Sequence, residues 1–351
     1  MRPRLVHVTT TDISLALLLG PQLRAFAAAG YEVIGVSAPG PHVAQLEADG
    51  IAHYPLRHAT RAMAPGRDAL AFTELLQLFR DLRPDIVHTH NPKPGVYGRL
   101  AARCSDAELL QNVEDLAVLR RIGVPARRLR VLGNGIDLAR FDRANVDPAR
   151  IEVLRKEFGA ETDEVICGVV GRLVWEKGYR EVLEAARLLR DRVPNLRFAI
   201  IGPLDMDKRD AVTADDVDAA ARLGNVRFFG YRDDVDECYA AMDLYVLASH
   251  REGFPRSAME AAAMGVPVIA TNIRGCRQVV ERGTTGMLVE PRDPRALADA
   301  IEDLATRETV RAAMGEAAVA KARRDFDQQR VIDLTLETYD RVLAERRNRW
   351  W

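Results

Sequence analysis

Two short segments concentrate residue types suited to holding an anion together with a hydroxyl-rich group. The first is Val169-Val-Gly-Arg-Leu-Val-Trp-Glu-Lys-Gly178, where an apolar run ends at Gly171, a helical pattern opens near Gly178, and the loop between presents Arg172 and Lys177. Amides at a helix start and fixed cations both favour a diphosphate. Lysine is scarce, at five positions (93, 156, 177, 208 and 321) among 50 basic residues, which singles out Lys177. The second segment is Ser249-His-Arg-Glu-Gly-Phe-Pro-Arg-Ser-Ala-Met-Glu260. Pro255 reads as a first helical residue, where its missing N–H costs little. Glu252 then precedes the helix, and Glu260 lies inside it, ~7–8 Å further along at 1.5 Å per residue. Two carboxylates accepting hydroxyl hydrogen bonds, with helix amides between them, suit a ligand with hydroxyls at both ends and an anion in the middle, as in a nucleotide sugar. The plain alternative is a pair of solvated loop cations and a glutamate favouring its helix dipole.

The elements that must position these residues alternate along the chain. Strand patterns at Arg4–Val8, Val33–Ser37, Ile51–Tyr54 and Asp85–His88 are separated by helical patterns at Leu15–Ala29, Val43–Ala48 and Asp68–Leu82, and another helix is expected around Gly95–Arg103. After Leu129–Leu132 and the turn Gly133-Asn-Gly135 the rhythm restarts, with strands at Val165–Val170, Arg197–Ile201, Val226–Phe229, Leu244–Leu247, Val266–Ala270 and Met287–Val289. From Pro294 onward only helical patterning remains: Ala296–Thr306, Glu308–Arg323 and roughly Gln328–Arg346. Such alternation predicts an α/β protein of two Rossmann-like, doubly wound domains with a linker near residue 135. Ligands of open parallel sheets bind outside the carboxyl ends of the strands, so a cleft between two such domains is the expected site.

Composition limits the other possibilities. The 351 residues carry a formal charge of −1, with 48% hydrophobic and 29% charged residues, enough for two domains each with its own core. A near-neutral balance argues against nucleic acid as a partner. No run reaches the ~18–20 apolar residues of a membrane span. The start, Met1-Arg-Pro-Arg-Leu-Val-His-Val8, enters a strand pattern directly, so no signal peptide is expected. Cys104, Cys167, Cys238 and Cys276 are too scattered for a disulfide framework or a cysteine zinc site and fit a reducing, cytoplasmic setting.

Other chemistry-bearing residues have weaker patterns. Asp205 and Asp207 are spaced as carboxylates on a metal-bound nucleotide would be, but a solvated loop is the expectation, and no metal is expected. His7 lies inside the first strand and reads as structural. His88 and His90, in Val87-His-Thr-His-Asn-Pro-Lys-Pro94, are two apart at a strand end, with no third ligand at suitable spacing. His90 and Lys93 are candidates for the acceptor side, and His250 shapes its loop.

Gly171-Arg-Leu-x-x-Glu-Lys-Gly178, followed by Glu252-Gly-Phe-Pro255 and Glu260, resembles the donor signature of the retaining glycosyltransferases of family 4, which have the GT-B fold. Gly265-Val-Pro-Val-Ile-Ala270, Gly286-Met-Leu-Val289 and Asn134-Gly-Ile-Asp137 with Phe141 are similar to the same family, so the resemblance covers nearly the whole chain. It implies an acceptor-side domain over 1–135, a nucleotide-sugar donor domain over 136–330, and a C-terminal helix, 331–351, packing back on the first domain. It implies that Arg172 and Lys177 neutralise the departing diphosphate, that Glu252 holds the donor sugar near the Gly253, Phe254 and Pro255 backbone, and that Glu260 holds the ribose. Phe229-Gly-Tyr231-Arg232 matches the base-binding loop. The reaction implied is transfer of a hexosyl or N-acetylhexosaminyl group, with UDP as the favoured nucleotide and no protein nucleophile or cofactor. A GT-B epimerase would need acid/base groups that cannot be placed; an NAD enzyme would want a glycine fingerprint that Thr9–Asp12 lacks; a degenerate donor-binding module remains the other alternative.

Thr9-Thr-Thr-Asp12 departs from the family's glycine-rich turn, and Thr11 and Asp12 serve either an acceptor or helix capping. This loop resembles a subgroup building capsule, O-antigen or lipid-linked oligosaccharides. Arg57, Arg61 and Arg67 are then placed to meet a lipid diphosphate, or are a solvated basic loop. The tail Arg346-Arg-Asn-Arg-Trp-Trp351 suits peripheral contact with the inner membrane face, or is an untethered end. Against the family's pattern the next βα unit, on the order of 30–40 residues and bearing a cleft histidine, is missing between Arg103 and Cys104, either lost by the protein or left out of the sequence.

Overall fold

The computed structural model describes residues 2–60, 64–90, 106–161, 163–205 and 208–348. These fall into two compact units, one drawn from Met1–Leu109, Val124–Arg130 and Ile332–Trp351, the other from Leu110–Gly123 and Val131–Val331. The expected helix near Gly95–Arg103 and the Arg103–Cys104 junction lie outside the described residues, as do Arg61, Lys93, Asp207 and both terminal tryptophans.

The first unit is built on four parallel strands, β1 (Arg4–Thr11), β2 (Glu32–Ala38), β3 (Ala52–Pro55) and β4 (Ile86–Thr89), in the order β3-β2-β1-β4. Side chains alternate across the pleat with period two. Leu5 and Val33 face one layer with Leu23 and Phe26 of the helix Gly20–Ala28 and Ile332 and Tyr339 of the helix Gln328–Asn348. Val6, Val8, Ile34 and Val36 face the other, against Ala71 and Leu75 of the helix Pro65–Leu82. Helices therefore cover both faces, and the near-continuous apolar strands have no solvent side to favour.

One expected element is divided. In place of one helix over Leu15–Ala29, a wide turn over Ser14–Leu18 closes with the Leu19 N–H on the Ser14 carbonyl, 3.1 Å, and the regular helix starts at Gly20. Pro21 is the cause: it has no N–H for the Leu17 carbonyl, and its ring would clash there.

Short strands β5 (Glu108–Leu110) and β6 (Leu129–Val131) pair with each other. The second unit then carries six parallel strands: β7 (Val165–Val170), β8 (Leu196–Ile201), β9 (Val226–Phe228), β10 (Leu244–Leu247), β11 (Val268–Thr271) and β12 (Gly286–Val289), ordered β12-β11-β10-β7-β8-β9. Its two layers again divide by alternation, Ile166 facing the helices Pro148–Glu157 and Arg256–Ala263, and Cys167 facing Tyr179–Leu189 and Pro294–Thr306. The helices Val113–Arg121 and Pro148–Glu157 are not among the elements expected from the sequence; the first buries no residue. The Gly133–Gly135 turn is tied down. Ile136 donates to the Phe326 carbonyl at 2.9 Å and accepts from the Gln328 N–H at 3.2 Å, while a Cβ on Gly135 would overlap the Gln328 backbone.

Because Ile332 is 3% exposed within the first unit's core, Ile332→Ala should cost about 2–5 kcal/mol in chemical denaturation followed by tryptophan-independent circular dichroism. Val153→Ala, at a site 53% exposed, should change stability by less than about 0.5 kcal/mol.

Candidate functional site

The strand order of the second unit reverses between β7 and β10, so the loops leaving their carboxyl ends meet although 75 residues separate them. Lys177, from the β7 loop, donates to Glu252 Oε1, from the β10 loop, at 2.6 Å. Ser249 Oγ donates to the same oxygen at 2.7 Å. The carboxylate is only 12% exposed and the ammonium 26%, so the pair is fixed by a serine that the sequence pattern did not single out.

Backbone geometry brings the two loops together. Gly178 has φ +79°, and a Cβ there would overlap the carbonyl of Ala248, so only glycine permits both the turn and the approach. His250 donates its N–H to the Glu176 carbonyl at 2.9 Å, and its ring Nε2 lies 3.0 Å from Glu181 Oε1, which fits a loop-shaping role. Gly171 ends β7 with its carbonyl accepting from Tyr179 Oη at 2.8 Å. Arg172 next to it is 48% exposed and pairs with Asp205, one of the two aspartates read as solvated loop.

Around Glu252, the carbonyl of Gly253 accepts from Asn112 Nδ2 at 2.6 Å, and that of Phe254 from Asn134 Nδ2 at 3.2 Å. With these carbonyls held back, the Gly253 and Phe254 amides precede the helix Arg256–Ala263, which starts one residue after Pro255. Glu260 accepts from Tyr239 Oη at 3.1 Å. Burial pushes its carboxyl above the usual range, although Arg256 and Arg140 oppose the shift by their charge. Asn112 and Tyr239 escape sequence reasoning because each acts from a distant element through one hydrogen bond, while Ser249, three residues from Glu252, and Asn134 lie in quoted segments whose spacing does not show these partners.

The Tyr231-Arg232 loop divides its side chains. Tyr231 is 67% exposed. Arg232 is bound to Asp234 at 2.7 Å and to Glu157 at 2.5 Å, so its guanidinium braces the loop. The Arg232 hydrogen bond in turn holds the Asp234 carboxyl down at about 2.

In the first unit, Asp12 is buried and accepts from the His42 N–H at 2.8 Å, capping the start of the helix Val43–Ala48. Gly40 makes room for that carboxylate, which a Cβ would overlap. Thr11 Oγ1 lies 3.1 Å from Ser14 Oγ, and Arg57 and Arg67 are exposed. Arg346 does not hang free, since it bonds the Asp85 carbonyl at 3.1 Å and Asp106 at 2.9 Å.

His90 belongs to a cluster of histidines in the first unit. Its Nε2 stands 2.9 Å from Nδ1 of the fully buried His7, and His88 Nδ1 is 2.5 Å from Tyr339 Oη. The third imidazole that sequence spacing failed to supply thus comes from β1, whose His7 is the register partner of His88 on β4. Burial, and then the neighbouring His88, press the His7 and His90 rings well below the ordinary histidine range.

Two Rossmann-like units, the second with cations and carboxylates gathered where its strand order reverses, define the GT-B class of nucleotide-sugar enzymes. The family model described as "Glycosyl transferases group 1" matches residues 150–321, and that described as "Glycosyl transferase 4-like" matches residues 5–118. The chain belongs to these GT-B glycosyltransferases. It is 26% identical over 384 residues to the capsular polysaccharide biosynthesis glycosyltransferase CapM of Staphylococcus aureus, covering 97% of this chain and 98% of that one. That alignment is longer than this 351-residue chain, so CapM carries segments absent here. A Campylobacter jejuni enzyme, N,N'-diacetylbacillosaminyl-diphospho-undecaprenol alpha-1,3-N-acetylgalactosaminyltransferase, is 24% identical over 246 residues, 70% of this chain and 63% of that one. Anabaena Alr3699/HepE, solved in complex with UDP and glucose, superposes with a TM-score of 0.79 at 20% identity over 97% of this chain and 100% of that one. Among the described residues, no helix is long and apolar enough to cross a membrane.

Two titrations check this geometry. A carboxyl raised by burial favours folding while protonated, and that contribution is lost as pH rises through the raised value. Glu260→Gln should therefore gain stability over wild type above about pH 4.5, with the gap closing in more acid, in urea melts from pH 4 to 8. Asp234 has the opposite sign. Its contribution, at most about 2 kcal/mol, is present above about pH 4 and lost toward pH 2, and Asp234→Asn should flatten that limb of the acid-unfolding curve.

Proposed function

We propose that the protein transfers a hexosyl or N-acetylhexosaminyl group from a UDP-sugar to a lipid-linked or polysaccharide-precursor acceptor, with retention at the anomeric carbon. The observation that carries this is the Lys177–Glu252 pair beside Arg172 at the carboxyl ends of β7 and β10. Lys177 spends one of three ammonium donors on Glu252, leaving others for a phosphate oxygen. Arg172, shared with Asp205, supplies the second cation.

Negative charge on the leaving diphosphate grows as the anomeric C–O bond breaks. Fixed cations bind that charge more strongly than the ground state, and this difference lowers the barrier. Glu252, held by Ser249 and Lys177, accepts from donor-sugar hydroxyls, and the Gly253 and Phe254 amides face the sugar and phosphate. Glu260 receives the ribose hydroxyls, and Tyr231 meets the base while Arg232 braces its loop. The acceptor oxygen bonds the anomeric carbon on the face the phosphate leaves, and its proton passes to the departing phosphate oxygen. No protein nucleophile enters, and the two cations do the neutralising a divalent ion would do.

Support for the donor comes from the HepE fold, captured with UDP and glucose. Support for the acceptor class comes from CapM and from the Campylobacter enzyme, whose name specifies a diphospho-undecaprenol substrate. On the acceptor side, Thr11 and the exposed Arg57 are the described candidates, and a lipid-linked acceptor brings peripheral contact with a membrane.

Lys177→Ala and Arg172→Ala should each lower kcat by about 10²–10³-fold in a UDP-release assay with acceptor present. Interconversion of the donor sugar without acceptor would mean an epimerase, and undiminished turnover in Lys177→Ala would remove the lysine from the mechanism. UDP affinity measured by calorimetry should stay within about twofold when EDTA replaces magnesium; a larger loss would mean that a metal bridges the phosphates.

A further inference from the structure

The histidines of the first unit take no part in the chemistry just described, yet three of them converge. His7 and His88 are register partners on adjacent parallel strands, and His90, two residues on and held in line by its N–H bond to the Val8 carbonyl, 2.8 Å, stacks its ring on that of His88 with 4.1 Å between centroids. One ligating nitrogen from each ring lies within 4.8 Å of those of the other two. We propose that His7, His88 and His90 form a binding site for one divalent ion of the late first-row transition series, zinc being the reference case, with the Tyr339 hydroxyl as its outer hydrogen-bond partner.

Geometry supports this in three ways. The His7 Nδ1 and His90 Nε2 atoms stand 2.9 Å apart. Two nitrogens on a tetrahedral ion, each at ~2.0–2.1 Å, stand about 3.3 Å apart, so the pair has only to open by a few tenths of an ångström. Metal-bound imidazoles are oriented by a hydrogen bond on the far nitrogen. Tyr339 Oη is 2.5 Å from His88 Nδ1 and 3.5 Å from His7 Nε2, and so stands in that position for two of the three rings. Finally, the group holds three imidazoles and no carboxylate, a donor set that selects zinc, nickel, cobalt or copper over magnesium or calcium.

The site has a place in the architecture. The strand order β3-β2-β1-β4 reverses between β1 and β4, where His7 and His88 pair. Tyr339 belongs to the helix Gln328–Asn348 and packs with Phe26 and Tyr31 in the same layer. An ion held here joins the central strands of the unit to its last helix, and leaves the diphosphate chemistry of the second unit to Arg172 and Lys177.

The test uses full-length protein without a polyhistidine tag, freed of metal by chelator and then returned to zinc or cobalt. Equilibrium dialysis with elemental analysis should find one equivalent of zinc, and the Tm should rise by several degrees, with no rise in magnesium. His88→Gln and His90→Gln should each weaken zinc binding at least tenfold and abolish the Tm shift. Tyr339→Phe should keep one equivalent at about 10–100-fold lower affinity. Cobalt on the wild type needs no variant to fold: intense visible bands of a four-coordinate ion held by three imidazole nitrogens and one solvent oxygen are expected, and the weak spectrum of an octahedral, oxygen-bound ion would overturn the proposal. So would the absence of saturable zinc binding, or binding unchanged in both histidine variants. None of these readings depends on transferase activity.

Discussion

The arrangement of the second unit's site depends on one ion pair. Lys177 and Glu252 are 2.6 Å apart and largely withdrawn from water. Taking two charges out of solvent costs several kcal/mol per ion, repaid only with good geometry and further hydrogen bonds. The second carboxylate bond comes from Ser249, and the backbone ties between Glu176 and His250 hold the loops at that separation. A pair this constrained orients a carboxylate and an ammonium in advance, and that preorganisation is what a site for developing charge requires.

The same logic extends outward in layers. Gly178 has no side chain because the Ala248 carbonyl occupies its place, and Gly275 admits the helix Arg274–Val279 against the carbonyls of Glu252 and Gly253. Asn112 and Asn134 hold the carbonyls of Gly253 and Phe254. Glu260 is kept against its own preference, since burial disfavours its charge, and Arg256, Arg140 and Tyr239 offset that only in part.

The first unit shows the contrasting case, in which polar groups serve the fold. Asp12 looked like a candidate for ligand work, yet its carboxylate is buried on the His42 amide in space that Gly40 vacates. In the second unit, Arg232 likewise braces Asp234 and Glu157. Residue type and loop position are alike for a group that binds and a group that braces; only its partners distinguish the two.

The sequence determined the order of strands and helices, because apolar runs with period two and stripes with period 3.6 are local properties. The segments that resemble the family's donor signature are legible for the same reason, since Arg172, Lys177, Glu252 and Glu260 lie within two short stretches of chain. It did not reveal the wide turn over Ser14–Leu18, although Pro21 was in plain view, because the choice between a kink and an altered turn rests on neighbouring packing. Nor did it reveal the helix Val113–Arg121, none of whose residues is buried. What only the tertiary structure decided were the meetings of distant segments: Arg172 with Asp205 and Asn112 with Gly253, and, at reversals of strand order, Lys177 with Glu252 and His7 with His88 and His90. Parallel sheets join strands through long crossovers, so the residues that touch at a reversal of strand order are far apart in the chain, and no spacing rule along the sequence contains them.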